Sequence, residues 1–152
     1  VEVTSGIYDK YDLIYDKEND GIKNKCNGIL YHITLDAKYN KIKDNGLIPK
    51  SGNKKSIHPE RIYFYPSNLI DKPDISLISQ AKFLYKPNGK YINSVMKYVT
   101  KKGLKIDILK IDLYKYQNIK YRFFQDPNHP QGIFTYEPVH PECVELYKSF
   151  YV

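Results

Sequence analysis

The first regular pattern along the chain is Ile29-Leu30-Tyr31-His32-Ile33-Thr34, a run rich in β-branched and aromatic residues. Period two places Ile29, Tyr31 and Ile33 on one face and Leu30, His32 and Thr34 on the other, so 29–34 predicts a strand. A helix is expected next, with Asp36 as its N-cap and Leu35, Tyr39 and Ile42 on its inner face. Asn45-Gly46 ends it: Gly46 suits a left-handed position past the last turn, and Leu47 can pack back onto that turn. Residues 49–59 form a lysine-rich loop, and 61–65 predicts a second strand closed by Pro66. After Pro73 a helix is expected to about Tyr85, stopped by Pro87-Asn88-Gly89. Ile92, Val95, Met96 and Val99 have the spacing of another helix face, ended by Gly103. From Leu104 the period changes, and 104–113, 119–124, 132–136 and 144–150 read as strands. Strand, helix, loop, strand, two helices and then strands alone favour an α+β fold over a doubly wound α/β one.

Charge adds an asymmetry that the pattern does not show. At 152 residues the chain has the length of one domain, and its net charge is +7. Residues 1–20 hold six acids against two lysines, a net −4, which leaves +11 on the remainder. Residues 1–27 also lack a sustained period and read as an acidic-to-basic arm with one short strand around 11–15, so the domain proper is 28–152. A body this basic attracts polyanions: nucleic acid, nucleotide phosphates or an acidic protein. Solubility in a lysine-rich proteome accounts for the same charge. Arg61 and Arg122 are the only arginines, which weighs against a sequence-specific DNA reader. Tyr114-Lys115-Tyr116 fits either base stacking or a half-buried sheet face. No apolar run approaches the ~18 residues of a membrane span, so no membrane partner is expected. Two cysteines, Cys26 and Cys143, are no disulfide framework, so a reducing, cytoplasmic setting is expected, with a single bridge between them as the alternative.

Several familiar chemistries are missing. No Gly-x-Gly-x-x-Gly follows a strand, and there is no P-loop, no zinc-spaced histidine pair and no Gly-x-Ser-x-Gly elbow. What remains is polar residues on or beside core strands. His32 stands inside the first strand, where a lone histidine is ordinarily a satisfied structural residue. His58-Pro59-Glu60-Arg61-Ile62-Tyr63-Phe64-Tyr65 joins a cationic loop to an aromatic strand. Gln131-Gly132-Ile133-Phe134-Thr135-Tyr136-Glu137 leads into Pro138-Val139-His140-Pro141.

Leu30-Tyr31-His32-Ile33-Thr34, a short helix and then Asn45-Gly46-Leu47-Ile48-Pro49 resemble the opening of ADP-ribosyltransferase-like domains. These include RNA 2′-phosphotransferases and DNA-modifying ADP-ribosyltransferase toxins. The strand 61–65 resembles the family's second motif, and 133–141 its last. The resemblance spans roughly 28–150 and implies two small packed β-sheets with two or three helices, and NAD⁺ bound as a substrate in the cleft between the sheets. It implies that His32 hydrogen-bonds the nicotinamide ribose and that Tyr63 or Tyr65 packs on the nicotinamide. Thr34, Lys50, Arg61 and Gln131 would complete the NAD site, with Arg61 and Lys50 on its phosphates. His32, Tyr63 and Glu137 would carry catalysis. The family's glutamate precedes the last motif strand, where this chain has Gln131-Gly132, and Glu137 falls at the strand's far end. The implied activity is transfer of ADP-ribose to nucleic acid or protein by an intracellular toxin or phage protein, in the host cytoplasm if phage-encoded. The alternatives are a non-catalytic binding or structural domain on the same fold, virion-associated or toxin-derived, and an RNA 2′-phosphotransferase-like enzyme.

Overall fold

Alternation of apolar and polar side chains produces seven antiparallel strands among the residues that the computed structural model describes, namely 13–16, 26–49, 61–86, 95–116, 118–119, 121–127 and 129–152. They are β1 (Leu13–Asp16), β2 (Ile29–Leu35), β3 (Ile62–Pro66), β4 (Lys105–Asp112), β5 (Arg122–Gln125), β6 (Ile133–Thr135) and β7 (Val144–Tyr151). Among the described residues the α-helices given in full are α1 (Tyr39–Asn45) and α2 (Pro73–Leu84), so the fold is α+β. The strands form one sheet in the order β1-β5-β6-β3-β2-β4-β7. Among the described residues no helix is long and apolar enough to cross a membrane.

The two separate sheets expected from the sequence are instead one sheet with a seam. β2 and β4 share seven registered pairs, from Ile29 with Asp112 to Leu35 with Ile106. β2 and β3 share two, Leu30 with Pro66 and Tyr31 with Tyr65. The joined end is fastened further: Asn27 takes a bond from the Ser67 hydroxyl at 2.9 Å and gives its own N–H to Asn68 Oδ1 at 3.0 Å. Beyond Tyr31 the two strands part.

Register decides which residues build which core. Leu30, Leu109 and Ile111 face one way and join Ile62, Phe64, Phe123 and Ile133 from across the seam, with Tyr39 and Ile42 of α1 packed against them. Tyr31, Ile33, Leu35, Ile106 and Ile108 face the other way and take Leu77 and Ala81 of α2. At about 1.5–3 kcal/mol for each fully buried large apolar side chain, these two layers hold the sheet between its helices. Cys26 and Cys143 are both buried free thiols, so the alternative of a bridge does not hold.

Local details depart from the sequence reading at four places. Asp36 caps no helix; it opens a 3₁₀ turn, Asp36–Lys38, that leads into α1 with no side-chain cap at either step. Gly46 is not left-handed helical but sits at φ 77° and ψ −171°, and a Cβ there would lie 2.1 Å from the Val139 carbonyl oxygen. Leu47 consequently bonds back and forth with Val139 at 3.0 and 2.8 Å and joins the core there. Of the helix expected around Ile92 to Val99, residues 87–94 lie outside the described residues; Val95 is buried, but Met96 and Val99 are 56% and 42% exposed. Val95 is helical, and the short 3₁₀ turn Met96–Tyr98 follows it before Thr100 and Gly103 pair to turn the chain into β4. Within the segment read as an arm, β1 pairs with β5 at the edge of the sheet, and its Ile14 and Tyr15 are buried.

Candidate functional site

The seam is where the chain places a histidine between two strands that no longer pair. In β2, His32 alternates with the buried Tyr31 and Ile33, and its partner across β4 is Leu109. On its other side the ladder has ended, and its Nδ1 lies 2.7 Å from the Tyr63 carbonyl oxygen of β3. A carbonyl can only accept, so Nδ1 carries the proton. Burial lowers the pKa of His32; the bond to Tyr63 works against that, and the charge of Lys38 adds to the lowering. The ring is therefore neutral at neutral pH, and its Nε2 presents a lone pair. Among the described residues Nε2 has no hydrogen-bond partner. Such an atom accepts a hydrogen bond from a hydroxyl or an N–H.

The expected adjacency of His32 with the second aromatic strand is met, in a form the sequence reading did not specify. Tyr63 meets His32 through its backbone, and the ring beside the imidazole is Phe64, with centroids 5.4 Å apart. Phe64 is buried in the first core, whereas alternation sends Tyr63 and Tyr65 to the opposite face of β3. There Tyr63, 45% exposed, packs against Phe134, and Tyr65 meets the edge of His129. Parity with His32 across an antiparallel pair was the signal for Phe64. Arg61 is buried, its guanidinium 4.2 Å from the centre of the Phe134 ring and 5.5 Å from that of Tyr136. Thr34 is buried opposite Asp107. Lys50 lies outside the described residues.

The last motif runs past the seam one strand away. Tyr63 pairs with Phe134 and Phe64 with Ile133, so residues before β6 point toward the joined end and residues after it toward the open end. Gln131 is exposed in the turn at the joined end. Glu137 follows β6 at the open end, with β3 between it and β2. Its Oε2 accepts from the Thr135 hydroxyl at 2.7 Å, and its Oε1 lies 3.4 Å from Arg122 Nη2. The Thr135 hydroxyl, whose single proton the Arg122 carbonyl at 2.8 Å also competes for, and the Arg122 guanidinium hold this carboxylate in place. The same ion pair also offsets the charge.

No group of three or more metal-ligating side chains occurs among the described residues. Comparison of the chain with protein-family models, with curated proteins and with solved structures finds no match in any of the three.

Proposed function

We propose that the chain is an ADP-ribosyltransferase-like domain that takes NAD⁺ at the β2/β3 seam and transfers ADP-ribose to a nucleic acid or protein acceptor. The observation that carries this reading is the tautomer of His32: with Nδ1–H given to the Tyr63 carbonyl, Nε2 is left to accept from a ribose hydroxyl. A sheet that separates into two halves at that histidine supports it, because the resemblance of 28–150 implies a nucleotide cleft between two sheets. Breaking the bond to nicotinamide leaves positive charge on the ribose, and Glu137 is a carboxylate held by Thr135 and Arg122 toward the open end. The +11 outside residues 1–20 favours an acidic acceptor or a nucleic acid.

A second reading, binding without transfer, is favoured by one observation: Arg122 already neutralises Glu137, and β3 separates that carboxylate from His32. Calorimetric titration of NAD⁺ into the wild type and into His32→Ala tests the first reading. The wild type should bind and the variant should lose about tenfold or more, the worth of one desolvated hydrogen bond. A wild type that does not bind NAD⁺ sinks the proposal. Binding with no release of labelled nicotinamide transfers it to the second reading.

A further inference from the structure

Opposite the seam from His32, one side chain gathers the described carbonyls of a turn. The Nε2 of Gln125, at the end of β5, lies 3.1 Å from the Asp126 carbonyl, 3.0 Å from that of His129, 3.4 Å from that of Pro130 and 3.0 Å from that of Gly132. An amide nitrogen has two hydrogens, so four carbonyls converge on a donor that can serve two of them well at a time. Backbone bonds close the same loop, from Asp126 N to Gly132 O at 3.0 Å and from Gly132 N to His129 O at 3.1 Å. Gly132 lies under the imidazole of His129, where a Cβ would come within 3.3 Å of the His129 side chain. The turn therefore presents His129 in one place, against the edge of Tyr65 on β3.

From there the turn reaches over the seam. His129 Nε2 lies 3.4 Å from Oε1 of Gln80, which belongs to α2. α2 packs through Leu77 and Ala81 on β2 and β4, the other half of the sheet. Two polar contacts thus link the halves on either side of β3: His32 to the Tyr63 carbonyl, past the last backbone pair, and His129 to Gln80, beside Tyr65 at the joined end.

We propose that Gln125 is a positioning residue for the His32 site: its amide shapes the β5–β6 turn, and through His129 and Gln80 that turn anchors the joined end of β2 and β3, from which the strands diverge at His32. The proposal rests on the reading of the seam as a ligand site, but its geometry can be tested without a ligand. The test records the His32 imidazole N–H by ¹⁵N-resolved NMR on the full chain, in the wild type, Gln125→Leu and Gln80→Ala. Gln125→Leu removes the donor from four carbonyls and endangers the fold of the turn. Gln80→Ala cuts the far end of the bridge from the surface of a helix and leaves the turn alone. Both variants should lose or broaden the protected Nδ1–H signal of His32, and NAD⁺ affinity should fall with it by about tenfold. A folded Gln80→Ala protein with an unchanged His32 signal overturns the proposal. If the wild type fails to bind NAD⁺, the functional reading falls, and the NMR comparison still decides whether Gln125 and Gln80 position His32.

Discussion

Asp107→Asn should make the protein more stable than the wild type at neutral and alkaline pH. Asp107 sits in the middle of β4 with no accessible surface, opposite Thr34 in register. The Ser149 hydroxyl donates to its Oδ1 at 2.6 Å, and its Oδ2 has no hydrogen-bond partner. Burial, followed by the neighbouring Asp36 carboxyl, pushes its pKa up from 3.8 to about 6, against the pull of Ser149 and Lys105. A carboxyl with a raised folded pKa favours folding while protonated. Its contribution is intact below 3.8, fades as pH rises, and is gone above about 6. A shift of that size corresponds to about 3 kcal/mol at 1.36 kcal/mol per unit. Asp36 and Lys105 beside it are 37% and 42% exposed, so solvent screening reduces the figure to about 1–2 kcal/mol. Asparagine keeps an acceptor for Ser149 and offers an N–H to Asp36. Urea unfolding from about pH 4 to pH 8 should therefore show the variant gaining on the wild type as pH rises. In thermal melts, each kcal/mol at this length is worth about 2–4 °C. Two stability curves that run parallel across that range would refute the reasoning.

Gly46→Ala should destabilise the protein by about 3 kcal/mol or more, because the new Cβ would collide with the Val139 carbonyl at a φ of 77°; a melting temperature within a few degrees of wild type would contradict this. On the proposed reading of transfer, Glu137→Gln should leave NAD⁺ affinity nearly unchanged and abolish transfer, since the loss of charge matters only as the ribose becomes cationic. An equal loss of binding would mark Glu137 as a carboxylate that only holds Arg122 and Thr135 in place.

Much of the sheet was legible because period two survives wherever one face is buried. Ile29–Leu35, Lys105–Asp112 and Val144–Tyr151 begin and end within a residue of where alternation puts them. The strand read at 119–124 starts later, at Arg122, because Tyr121 turns inward to be buried and receives the His140 N–H at 3.2 Å. Gly46 was recognised as a helix end from its residue type, but its backbone conformation is dictated by Val139, ninety-three positions away, which no local pattern contains. The candidate site divides in the same way. His32 and its neighbouring strand could be found from sequence because strand identity and order bring them together. Phe64, Asp107 and Gln125 were missed because each owes its role to a partner chosen by register or by a turn. Phe64 needs the offset between β2 and β3, Asp107 the approach of Ser149 and Asp36, and Gln125 the folding back of Asp126 to Gly132.

His32 and Asp107 load the same strand pair with opposite pH dependences. His32 has a lowered pKa, so protonating it costs the fold stability as pH falls below its ordinary value of 6.5. Asp107 has a raised pKa, so deprotonating it costs stability as pH rises from 3.8 toward 6. Over that interval the two effects have opposite signs. Removing the carboxyl exposes the histidine: the stability of Asp107→Asn should climb with pH up to about 6.5 and then level off. Adding His32→Ala to it should remove the climb. The two substitutions together thus separate a strained carboxyl in β4 from a neutral imidazole in the seam. On the proposed reading, the imidazole is the group whose lone pair the ligand meets.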